Sequence, residues 1–200
     1  MKKTNPILAS ILICFMLVVV AILIPARTDI AIALMVEMGV EDLARDADSV
    51  LRGEVTGIKS EWDEGKSKIY TYITLSVKER IKGGATEDTV TIRQLGGKVG
   101  KMRLTVSDSA VFNKGENLIV FLKSEGVQRS RRRRAINKIV GMEQGKYSIA
   151  RDSLTGRHMV TVGKGTFATG TGAIVSRAGR QIVLEDFIGQ IKRVKGKHKQ

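Results

Sequence analysis

Read from its N-terminus, the chain begins with an uninterrupted apolar run. Ile7 to Ile24 (ILASILICFMLVVVAILI) carries no charge, and Lys2 and Lys3 precede it. As a helix, eighteen residues rising about 1.5 Å each span roughly 27 Å, close to the hydrocarbon thickness of a bilayer. Val40, Leu43, Ala44 and Ala47 then recur at helical spacing, with Glu41 and Asp42 in the first turn, which predicts a short amphipathic helix. From Ser49 onward the period changes to two. Leu51, Val55 and Ile58 mark an extended segment up to Trp62, with Gly53 and Gly57 interspersed, and glycine inside a strand points to a bulge or tight coiling.

The alternation is clearest after the loop Asp63–Ser67, where Ile69, Thr71, Ile73, Leu75 and Val77 form one face and Tyr70, Tyr72, Thr74, Ser76 and Lys78 the other. Further strands are expected over 89–94 and 101–106, separated by a tight or mobile connection at Gly96, Gly97 and Gly100. Leu118–Leu122 is apolar at every position, the pattern of a strand buried on both faces. More strands are expected over 136–142, 146–150 and 159–162. Near the end, Leu184, Phe187, Ile188 and Ile191 fall at i, i+3, i+4 and i+7, predicting a second helix with acids in its first turn and bases in its last.

These elements predict a mainly β domain: a small antiparallel barrel flanked by a short N-terminal and a C-terminal amphipathic helix, behind a transmembrane helix. The expected organisation is a membrane anchor or signal segment over 1–28, a linker and short helix over 29–48, and the barrel over 49–162 with an Arg-rich loop at 128–135. A Gly-rich link over 163–181, a helix over 182–195 and a basic tail over 196–200 complete it. The link is inferred from composition, because 163–179 is rich in Gly, Ala, Thr and Ser.

Charge changes the picture at one place. Net charge is +14 overall, but residues 1–40 carry +1, residues 41–128 carry zero and residues 129–200 carry +13. Lys2 and Lys3 before the apolar run, against Arg27 and Asp29 after it, predict a single-pass anchor with the N-terminus inside and the domain outside. Cleavage at the small residues of Ala31-Ile32-Ala33 would instead give a secreted product. The one cysteine, Cys14, falls inside the apolar run, so an internal disulfide framework is excluded.

Between Asp46 and Ile149 the chain resembles an uncharacterised family of exported microbial domains. The matching features are Ala47-Asp48-Ser49-Val50 with Gly53, then Trp62, Ile69-Tyr70-Thr71 and Lys82-Gly83. They continue through Gly96-Gly97-x-Val99-Gly100, Phe112-x-x-Gly115-Glu116, Val140-Gly141 and Gln144-Gly145-Lys146. A weaker, fold-level likeness runs to netrin-like modules and tissue inhibitors of metalloproteinases. That likeness implies an OB-type five-stranded barrel, but not the inhibitory mechanism, which needs a free N-terminal cysteine and disulfides that this chain lacks.

Candidate chemistry is sparse. His158 and His198 are the only imidazoles, and no Cys/His/Asp cluster has ligand spacing, so no metal or other cofactor is expected. Asp152, Ser153 and His158 are close in sequence without a nucleophile elbow or triad order, and the glycine-rich stretches match neither a P-loop nor a dinucleotide fingerprint. Two features suggest binding. Arg129, Arg131, Arg132, Arg133 and Arg134 concentrate charge in one loop suited to an anionic polymer, lipid headgroup or acidic protein. Trp62, Tyr70 and Tyr72 could form an aromatic face for stacking, or serve as the dock for an amphipathic helix. The expected function is a non-enzymatic binding or interaction domain at the cell surface. Polyanion binding through the Arg-rich loop is the first alternative and a hydrolase the second.

Overall fold

The computed structural model describes residues 37–83, 87–128, 134–168 and 174–196. The expected anchor at 7–24, most of the arginine run and residues 197–200 of the basic tail lie outside them. Among the described residues no helix is long and apolar enough to cross a membrane. The fold is mainly β. Helix α1 (Val40–Asp46) leads into β1 (Ser49–Trp62), β2 (Ile69–Lys82) and β3 (Thr89–Leu95). A small hairpin follows, β4 (Gly97–Val99) with β5 (Met102–Leu104), and then β6 (Asn117–Gln128) and β7 (Arg134–Ile139). A 3-10 turn (Met142–Gly145), β8 (Lys146–Arg151), β9 (His158–Ala168), β10 (Ile174–Val183) and helix α2 (Leu184–Gly196) complete the order.

Eight strands form one sheet in the order β1-β2-β3-β7-β6-β8-β9-β10, and β1 also pairs with β6. The first five therefore curl into a partly closed ring. Two expectations need correction here. The ring is not wholly antiparallel, because β3 and β7 run parallel through Thr91↔Ile136 and Ile92↔Asn137. Alternation along a strand reports which faces are buried, not the direction of its neighbour, and a parallel neighbour requires the long connection through β4, β5 and β6. Nor is 163–181 a link: β9 continues to Ala168 and pairs with β10 from Ile174↔Ala168 to Val183↔Met159. A ladder of backbone hydrogen bonds can hold a Gly- and Thr-rich hairpin that composition alone makes look like a linker. The strands also reach into the Arg-rich segment, where Val127↔Ala135 and Gln128↔Arg134 are paired.

The bulges expected from Gly53 and Gly57 are present: the β1–β2 register shifts between Arg52 and Gly53 and between Val55 and Gly57. A Cβ at Gly53 would overlap the Ser76 carbonyl and crowd the Leu75 side chain, so the coiling of β1 around β2 requires glycine there.

Two cores lie on opposite faces of β6. Leu118, Val120 and Leu122 project into the ring, where Leu51, Val55, Ile73, Leu75, Val90 and Ile92 meet them. Ile119 and Phe121 project the other way and pack with Leu43, Ala44 and Ala47 from α1 and its end, Tyr147, Val160, and Leu184, Phe187, Ile188 and Ile191 of α2. Leu118 to Leu122 are fully buried, as their unbroken apolar run implies. Phe121, Tyr147 and Phe187 form a mutual aromatic cluster, with ring centroids 4.7 to 6.5 Å apart. Burial raises the Tyr147 phenol to about 12. Lys82 fastens α1 to the ring: its Nζ donates to the carbonyls of Ala44 and Ala47 at 2.6 Å, where the helix presents its negative end.

Candidate functional site

The aromatic residues singled out in the sequence do not form one platform. Residues directly opposite in an antiparallel pair share a face. Trp62 opposes Ile69, whereas Tyr70 opposes Glu61 and Tyr72 opposes Lys59. Trp62 thus belongs to the Ile69 face, and Tyr70 and Tyr72 lie on the other. These three are not the dock for the helices either, because that role falls to Phe121, Tyr147 and Val160. Tyr70 and Tyr72 are instead half-buried on the outer face of the ring.

Strand β3 continues that outer face. Arg93 stands opposite Tyr72 and Leu95 opposite Tyr70. The Arg93 guanidinium lies 4.8 Å from the centre of the Tyr70 ring, a cation–π geometry. Its Nη2 and Nε donate to Glu125 Oε2 at 2.9 and 3.3 Å. Desolvation works to lower the Arg93 pKa, but the hydrogen bond and charge of Glu125 outweigh it and raise the pKa overall. Lys138 Nζ approaches the other carboxylate oxygen of Glu125 at 3.8 Å. Two cations therefore share one anion, leaving a net positive charge on the cluster.

This cluster sits where the ring is least closed. Parallel pairing of β3 with β7 covers only two residue pairs and ends at Ile92↔Asn137. Beyond it the strands part, and a depression of about 320 Å³ opens, lined by Arg93, Leu95, Glu125, Lys138, Ile139 and Met142 among others. Leu95 and Met142 are 38% and 42% exposed, which makes them two of the six large apolar side chains exposed among the described residues.

A second polar cluster lies at the start of β6. Glu116 Oε1 accepts from Lys146 Nζ at 2.6 Å and from Ser148 Oγ at 2.5 Å, and Oε2 accepts from the Asn113 amide at 3.0 Å. Burial pushes the Glu116 carboxyl up, but these hydrogen bonds prevail and hold it below its ordinary range. Ser148 Oγ also lies 3.2 Å from Lys146 Nζ. These charge-assisted hydrogen bonds pin the Asn113–Glu116 turn to β8. Asp152 is likewise occupied within its own turn, where Oδ1 accepts from the amides of Leu154 and Thr155 and from Thr155 Oγ1. It therefore does not orient His158, which stands opposite Arg151.

Arg129 and Arg131–Arg133 lie outside the described residues, and Arg134 opens β7. Arg93, Glu125 and Lys138 were not legible as site residues, because each occurs as an ordinary charge in an alternating strand and only strand order brings them together. Among the described residues, no group of three or more His, Cys, Asp and Glu side chains could hold a metal ion. No protein-family model matches the chain, and no curated protein matches it.

Proposed function

We propose that this chain is a non-enzymatic binding domain displayed outside a cell membrane, with residues 7–24 as its anchor. The observation that carries the binding part is the division between filled interior and polar–aromatic exterior. Both cores are packed with apolar side chains, while Tyr70, Tyr72 and Arg93 lie together on the outer face of β2 and β3. We read the ring as OB-like. Its order β1-β2-β3-β7-β6, closed back onto β1, with the parallel pair between β3 and β7, supports that reading. In such barrels the second and third strands form the surface that meets extended ligands. The display part rests on the uncharged run 7–24 and its flanking lysines. Fractionation of cells expressing the full chain, followed by external protease treatment, tests it. The domain is expected in the membrane fraction and to be degraded from outside. Recovery of protected protein from the cytosol would refute the proposal.

A second reading, favoured by the +13 charge of residues 129–200, makes the ligand a polyanion. The connection between β6 and β7, with Arg129 and Arg131–Arg134, would then supply the attraction and the outer face the contact. Full chain binding to dextran sulfate should fall steeply as salt rises, and replacing Arg131–Arg134 by Ser should flatten that slope. Binding insensitive to both changes would exclude this reading.

A further inference from the structure

We propose that the open seam between β3 and β7 binds a small monocarboxylate with an apolar body, such as an arylalkanoate. This builds on the binding reading of the outer face, but not on membrane display or the arginine run.

The seam combines three features. Its charge is unbalanced: Glu125 bridges Arg93 at 2.9 Å and Lys138 at 3.8 Å, so one carboxylate serves two cations. Arg93 is the better satisfied, held by Glu125 and by the Tyr70 ring at 4.8 Å. Lys138 is 52% exposed and only loosely paired, which leaves its ammonium free to accept a second carboxylate. Its apolar lining is uncovered: Leu95 and Met142 are exposed in the same depression, beside Ile139. Its wall holds a strained residue: Met142 has φ 54°, in the left-handed region that disfavours a long side chain, and the neighbouring Asp108, of a type that tolerates this region, has φ 56°. The Asp108 carbonyl accepts from the Glu143 amide at 3.1 Å, tying the two segments together. Such strain persists only where surrounding contacts fix the backbone, and here they hold Met142 at the depression.

These features select the ligand. A single carboxylate matches the one uncompensated positive charge, and an apolar body covers Leu95, Ile139 and Met142. The volume of about 320 Å³ suits a small molecule. An inorganic anion would leave the apolar lining wet, and a neutral hydrocarbon would leave Lys138 without a partner.

The test uses the full chain with methyl-labelled methionine, titrated with 4-phenylbutyrate, 4-phenylbutanol or acetate. Met102, 60% exposed on the β4–β5 hairpin and outside the depression, reports nonspecific partitioning. The Met142 methyl should shift saturably with phenylbutyrate while Met102 does not. The alcohol should bind about tenfold or more weakly, and acetate should leave Met142 unmoved. Lys138→Gln should reduce phenylbutyrate to the level of the alcohol. Leu95→Ser should weaken both aromatic probes equally. Equal affinity for acid and alcohol, no effect of Lys138→Gln, or matching shifts at Met142 and Met102 would each overturn the proposal. Dextran sulfate binding is measured on the same sample. The backbone amides of Tyr70, Tyr72 and Arg93 are followed in both titrations: a silent Met142 with those amides responding to the polymer defeats the seam site alone, whereas amides silent to every probe defeat the binding reading of the outer face as well.

Discussion

The two sides of β6 solve different packing problems. Inside the ring the core is built from Leu, Ile and Val at its nine buried positions. On the helix side the same strand contributes Phe121 to an aromatic trio with Tyr147 and Phe187. A closed ring brings opposing strands close, and branched aliphatic side chains fill the space between them. A helix laid across a sheet stands about 10 Å away, and larger rings span that gap. Both volumes are filled with apolar side chains, and one depression opens at the seam where ring closure is weakest.

The largest expected effect separates the two cores. Phe187→Ala should destabilise the domain by about 3–5 kcal/mol and Ile73→Ala by about 2–5 kcal/mol in chemical denaturation. The cores share no buried residue, so the double variant should be additive within about 0.5 kcal/mol. Strong non-additivity would show that they act as one.

Smaller effects distinguish the polar groups. The Tyr147 phenol, raised to about 12, stays neutral in the folded state while its unfolded counterpart, with the ordinary value of 10.0, ionises. Its stabilising contribution is therefore complete below about pH 10 and is lost between about pH 10 and 12. Tyr147→Phe should remove that alkaline decline, measured by denaturation at each pH. Glu116 has the opposite sign. Its pKa is lowered by Lys146 and Ser148 despite burial, so its contribution is present above the ordinary carboxylate value and is lost as pH falls through the folded value. Glu116→Gln should lower stability at neutral pH, flatten its decline in the acid range and leave the slope of the alkaline decline unchanged. The smallest effect belongs to Lys138→Gln, expected within about 0.5 kcal/mol of the parent because the side chain is half exposed.

Much of the fold was legible in the sequence wherever one face of an element is apolar. The alternation from Ile69, the solid run Leu118–Leu122 and the helical spacing of Leu184, Phe187, Ile188 and Ile191 each correspond to the buried pattern in the structure. Pattern failed where composition is dominated by small residues. Residues 163–179 are rich in glycine, alanine, threonine and serine, and the backbone ladder that pairs β9 with β10 is not written in composition. Direction failed too, because the parallel β3–β7 pair is set by connectivity across the 38 residues between Leu95 and Arg134. Site residues were the least legible. Tyr70 and Tyr72 share one face as their spacing predicts, but Trp62 belongs to the opposite face, and a face assignment needs the register across the hairpin. Arg93, Glu125 and Lys138 lie on three different strands, and only their order around the ring makes them neighbours.

Mapping backbone amides of the full chain as dextran sulfate is added tests the division between filled interior and binding exterior most directly. Shifts should gather at Tyr70, Tyr72 and Arg93 and toward the arginine run, with the amides of α1 and α2 unchanged. A response confined to the helices, or spread evenly over the domain, would contradict it.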